Sequence, residues 1–253
     1  MFRTGKRRAF IHNLRLAVML SFVAGIVNIS GVLSMNVLTT NVTGHFAFFS
    51  DYFVMGDYPV AIDFISYILA FLIGAICCGL VVEVAHKRNS PSPHRIPILL
   101  EIVTLLSVVI VYDKISSEWI ARILLFSMGL QNALVTRISQ ATVRTTHLTG
   151  LFTDLGIELS QLFFQRNEAS NMRKLTKSIY LRLSIILFFF LGGVSGGFLF
   201  REFKIKTLFL AIFALLVAIS YENFRIVMHH SRRKLRRKIA SQGLLRGSSQ
   251  NPD

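Results

Sequence analysis

Two six-residue segments carry the same polar pattern, T-T-x-x-T-G: Thr39-Thr40-Asn41-Val42-Thr43-Gly44 and Thr145-Thr146-His147-Leu148-Thr149-Gly150. Each leads into a short, largely apolar run, Thr43–Met55 and Thr149–Phe164. A threonine just ahead of such a run can cap a helix, its hydroxyl accepting a free amide of the first turn. The helix start behind the cap carries partial positive charge and unpaired N–H groups, which favour an anion or a polar solute. Gly44 and Gly150 leave room for close backbone approach. The chemistry these residues suggest is binding rather than bond making. The plainer alternative is a surface cap on an amphipathic helix.

Other polar residues stand inside apolar stretches. Asn28, Gln131 and Asn132 either line a polar path or act as hydrogen-bonding glue between helices. Asp154 and Glu158 are four residues apart, hence on one helix face. They would carry a proton or bind a cation if buried, or form a solvated face if not, and Asp51 is a looser counterpart in the first segment. Arg144 adds positive charge just before the second motif. Glu101, early in an apolar run, is expected to snorkel to the nearer interface. The candidate solute-binding set is therefore Asn28, Thr39, Thr40, Asn41, Thr43, Gly44, Gln131, Asn132, Arg144, Thr145, Thr146, His147, Thr149, Gly150, Asp154 and Glu158. His45 and His147 would sit on opposite membrane sides and make a poor metal pair. There is no nucleophile elbow, glycosidase-type carboxylate pair or HExxH, so neither an enzyme nor a cofactor is expected.

These residues must be positioned by apolar helices. Hydrophobic residues make up 53% of the chain and charged ones 16%, too few to cover a water-facing surface. The pattern predicts an all-α membrane protein with about six transmembrane helices, near 16–37, 64–84, 96–112, 119–134, 179–200 and 208–221. The two motif-led runs are short or carry carboxylates, and counting them as spans would put the basic segment His86–Arg95 outside, so they are expected as re-entrant or broken helices. From Leu16 to His86 there is no Lys or Arg, whereas His86–Arg95 and the long connection from Arg137 to Lys177 are basic. The positive-inside rule then places both termini in the cytoplasm of an inner-membrane protein, with Arg201, Lys204 and Lys206 outside against the rule.

The motif repeats in company. Gly25-Ile26-Val27-Asn28 parallels Gly129-Leu130-Gln131-Asn132 upstream, and Phe71-Leu72-Ile73-Gly74 parallels Phe190-Leu191-Gly192-Gly193 downstream. Two halves follow, 16–112 and 113–222, flanked by a basic N-terminus over 1–15 and a basic tail over 223–253. Three spans per half is an odd number, so the second half must be inverted relative to the first. This is an inverted-topology repeat, a design that places solute sites at the repeat interface near the membrane midplane.

The net charge of +15 is concentrated at the two ends of the chain, beside apolar segments. It is expected to serve topology and contact with anionic lipids rather than nucleic acid. Cys77 and Cys78 are neighbours that point apart, so no disulfide is expected between them. The first apolar run reads as a first helix, not a cleaved signal. Gly192, Gly193, Gly196 and Gly197 permit tight helix packing, within the chain or in a homo-oligomer.

The segments Gly129–Ala133, Val143–Gly150 and Thr153–Leu159 resemble the signature of the YoaK-like family of bacterial integral membrane proteins, whose function is not established. The resemblance spans about Leu14 to Tyr221. It departs from the family pattern at Asn28, where an acidic residue is usual, and at His45, where asparagine is usual. It implies six spans and names no substrate. The expected function is a transporter or channel for a small polar or anionic solute; the alternative is a non-transporting scaffold or regulatory subunit.

Overall fold

The computed structural model describes residues 3–88, 90, 92–138, 148–164 and 169–221, with side chains from Leu14 onward apart from 169 and 170. Regular structure among these residues is entirely helical. The helices are α1 (Arg3–Met35), α2 (Val42–Val54), α3 (Tyr58–Lys87), α4 (Arg95–Val111), α5 (Ser117–Ile138), α6 (Leu148–Phe164) and α7 (Ala169–Phe203). A 3-10 turn, Lys204–Thr207, precedes α8 over 208–221. The chain divides into two compact units, Met1–Leu216 and Val217–Asp253. In the second, the described residues, 217–221, complete α8.

Four stretches are long and apolar enough to cross a membrane: Leu14–Met35, Tyr58–Lys87, Ser117–Ile138 and Asn171–Tyr221. The protein is thus a helical membrane protein. The sequence predicts six spans, and the difference has two sources. Helix α4 has 17 residues, just at the lower limit for a span. The fifth and sixth expected spans fall in one 51-residue stretch, interrupted where Lys204 adopts a positive φ of 50°.

Local sequence explains the helix starts. Asn41 caps α2, its side chain accepting from the Gly44 amide at 3.0 Å. Thr43, the residue expected to cap, lies inside the first turn and is exposed. Asn wins because it stands one residue ahead of the first helical position, where a short acceptor reaches back over the free amides. Asp57 caps α3 and Pro59 occupies its first turn, where a missing N–H does no harm. Between them Gly56 takes φ +81°, a turn conformation that suits glycine.

Helices α3 and α5 run parallel. Asp63 pairs with Arg122 near their starts and Glu83 with Arg137 near their ends, and Gly74 meets Gly129 between. A Cβ at Gly74 would collide with the Phe126 carbonyl, and one at Gly129 with the Phe71 carbonyl. Helices α1 and α7 repeat this arrangement. A Cβ at Gly25 would collide with the Phe189 carbonyl, and one at Gly192 with the Phe22 carbonyl. One turn further along both helices Gly196 lies against Ile26 and Ile29, so this pair is parallel too. In all four helices the crossing glycine follows a phenylalanine by three residues. Without Cβ atoms the backbones approach until Cα–H groups face carbonyl oxygens.

The two pairs run in opposite directions. Met35, at the end of α1, packs on the cluster of Tyr67, Ala121 and Leu125 near the starts of α3 and α5. Because α3 and α5 are parallel, α4 returns the chain from the Lys87 end to the Ser117 end, packing on α5 and α3. The short helices sit at opposite ends of this core. Helix α2 covers the start of α3 through Phe48 and Tyr52 on Phe64. Helix α6 covers the start of α7 through Leu155 on Leu175 and Ile179. The glycines Gly192, Gly193, Gly196 and Gly197 all turn toward α1 of the same chain.

Glu101 does not snorkel. It is fully buried on α4, because the α4 face bearing it turns inward with Ile98, Leu105 and Val108 onto the other helices.

Candidate functional site

The site begins with a reversal of the chain. After Met35, Asn36 takes a left-handed φ of 54°, and Val37 N–H donates to the Gly31 carbonyl at 3.3 Å. The chain then runs back alongside α1. The Thr39 methyl lies against Gly31, whose lack of a side chain makes the space. The Thr40 hydroxyl donates to the Asn28 side-chain oxygen at 2.9 Å. Asn28 is seven residues before the end of α1, so the cap of α2 lies roughly 10 Å inside that end. Helix α2 therefore starts about three residues' rise from the Gly25 crossing and runs back toward the start of α3.

The reversal is held by buried polar groups. His45 is 2% exposed. Its Nε2 lies 2.8 Å from the Leu38 carbonyl, and since a carbonyl only accepts, Nε2 carries the proton and donates. The ring packs on Phe64 and Tyr67. Its Nδ1 and the Thr39 hydroxyl oxygen are buried without a hydrogen-bond partner among the described residues. Asn28, Thr39, Thr40, Asn41 and Gly44, all sequence-nominated, are thus brought together, while Thr43 points outward.

The second-half candidates divide. Arg144, Thr145, Thr146 and His147 lie outside the described residues. Thr149 is exposed in the first turn of α6, and Gly150 follows it half-buried. Gln131 is wholly buried, and its amide donates to the Leu20 carbonyl, tying α5 to α1. Asn132 is half-buried, its side-chain oxygen without a partner among the described residues.

Asp154 and Glu158 do share a face of α6. Both bind one guanidinium, that of Arg182 on α7: Asp154 at 3.0 Å, Glu158 by a short contact, with Ser178 accepting as well. Arg182 and Glu158 are largely withdrawn from solvent, their side chains 10% and 15% exposed. Beside them a cleft of about 340 Å³ is lined by Glu158, Gln161, Asn171, Lys174, Leu175 and Ser178. At the other end of the core, Arg122 joins Asp63 and Ser66 and lies over the Trp119 ring at 4.6 Å. Sequence reasoning missed both arginines. The available signal was their place within apolar helices, where a cation demands a partner.

The assembly is that of a helical membrane protein whose polar residues cluster around the start of the short helix α2. Residues 16–221 match the family described as "Protein of unknown function (DUF1275)", and the chain belongs to that family. Searches of curated proteins and of solved structures return no match.

Proposed function

We propose that this protein is a transporter or channel for a small polar or anionic solute, built as an inverted repeat of six spans with two re-entrant helices. The observation that carries the reading is the Thr40–Asn28 hydrogen bond, which holds the start of α2 beside α1 two turns short of its end. A helix start at that depth turns free amides and positive potential toward the membrane interior.

The symmetry of the core supports the duplication. Gly25 and Gly74, on the first and second spans of the first half, each meet a glycine of the second half on the opposite member, Gly192 and Gly129. A two-fold axis in the membrane plane has this consequence. Helices α2 and α6 at opposite ends fit the same axis. The parallel course of α3 and α5 supports counting α4 as a span, and the interruption at Lys204 supports counting two more in the long final stretch. Lys87, Arg95, Arg137, Arg173, Lys174 and Lys177 gather at the end where α1 begins, which supports an inner-membrane orientation with cytoplasmic termini. Anionic lipids would contact this basic end.

The test is osmotic swelling of proteoliposomes challenged in turn with chloride, formate, urea and glycerol. The protein should accelerate entry of at least one of these over empty liposomes. Thr40→Val and Asn28→Leu should remove the acceleration while inserting normally. A second reading, a non-transporting scaffold, is favoured by the tight seating of Thr39 on Gly31, and it predicts no acceleration for any of the four solutes.

A further inference from the structure

Glu101 stands apart from both interrupted helices. It has no solvent exposure, on a helix packed against α3 and α5. Neither carboxylate oxygen has a hydrogen-bond partner among the described residues, and no described cation is within ion-pair distance. It lies six residues into α4, roughly 9 Å along the axis from the helix start. The titratable and charged groups of the packed helices at that end are Cys77, Cys78, Glu83, His86 and Lys87 on α3 and Arg137 on α5. Cys78 is buried, within electrostatic reach of Glu101 and Arg137. Arg137 and Glu83 hold each other at 2.7 Å, and His86 and Lys87 are exposed. The remaining charges, Asp63, Glu118 and Arg122, belong to the far end of these helices.

An ionised carboxylate without donors or a counter-charge is strongly disfavoured in such surroundings. Nor does the described fold use the polarity of this group, since neither oxygen is hydrogen-bonded to another described element. A leucine there would pack without that penalty. We propose that Glu101 is a proton-binding site inside the helix bundle, able to take up and release a proton within the membrane. The proposal goes beyond the transport reading and does not depend on it.

Dicyclohexylcarbodiimide, an apolar reagent for protonated carboxyls, tests it on the full chain in liposomes. The acid proton passes to a carbodiimide nitrogen, and the carboxylate oxygen adds to the central carbon. The resulting O-acylisourea rearranges to a stable N-acylurea, so the whole reagent is retained and no group leaves. Mass spectrometry should place the label on Glu101 in the unaltered protein at neutral pH. Labelling should fall as the pH is raised and be indifferent to sodium or potassium, and Glu101→Gln should abolish it at that position. Absence of label on Glu101 at every pH would overturn the proposal. Protection by sodium or potassium would overturn it in favour of a metal-cation site.

Discussion

Gly74 and Gly129 meet backbone to backbone where α3 crosses α5, each standing on the carbonyl of the phenylalanine that precedes the other by three residues. Gly25 and Gly192 do the same for α1 and α7. A methyl group at any of the four must push two helices apart. We expect Gly25→Ala, Gly74→Ala, Gly129→Ala and Gly192→Ala each to destabilise by about 1–3 kcal/mol or more, the range for overpacking a close contact. Gly156 faces open space on α6, so Gly156→Ala should be neutral or stabilising by up to about 1 kcal/mol through helix propensity. Thermal unfolding in detergent reads the contrast.

The ion pairs of Arg182 on α7 and of Arg137 on α5 should differ sharply. Arg182 is largely buried between two carboxylates, and Arg182→Met strands Glu158 without a counter-charge, at a cost of about 3–5 kcal/mol. The Arg137–Glu83 pair is well exposed, its side chains 36% and 59% accessible, so water screens it and Arg137→Met should cost far less than Arg182→Met. Denaturant titration of both variants in the same detergent checks the order. Equal losses would mean that Arg182 is not enclosed as described.

Capping separates the two candidate residues at the start of α2. Asn41→Ala removes the acceptor of the Gly44 amide and should cost about 1 kcal/mol. Thr43→Ala should change stability by less than about 0.5 kcal/mol, as for an exposed substitution away from any cap. The same unfolding measurement decides, and the reverse order would return the cap to Thr43.

These contrasts show where the sequence was informative. Apolar runs locate α4 and α5 to within about four residues, whereas α1 and α3 begin well ahead of the expected starts at Leu16 and Phe64, because a helix continues past the apolar stretch that marks it. Helices α2 and α6, of 13 and 17 residues, are not among the four stretches long and apolar enough to cross a membrane. The crossing glycines were visible, yet matching Phe71–Gly74 to Phe190–Gly193 sets the register one residue off. Contact assigns the role to Gly192, behind Phe189, because two glycines in a row leave the choice to the partner helix. The fate of Glu101 was not legible. Which face of α4 turns inward is decided by α3 and α5, and a uniformly apolar helix shows no amphipathic stripe to declare it. The bond of Arg182 to Asp154 and Glu158 joins separate helices, and no local spacing announces it.

The proposed inverted repeat requires α2 and α6 to enter the membrane from opposite faces. Single cysteines at Thr43 and Thr149, both exposed, test it in a protein whose Cys77 and Cys78 have been replaced by alanine. Oriented membrane vesicles are treated with a membrane-impermeant maleimide from one side at a time. Thr43→Cys should react from the periplasmic side and Thr149→Cys from the cytoplasmic side. Reaction of both from the same side would contradict it.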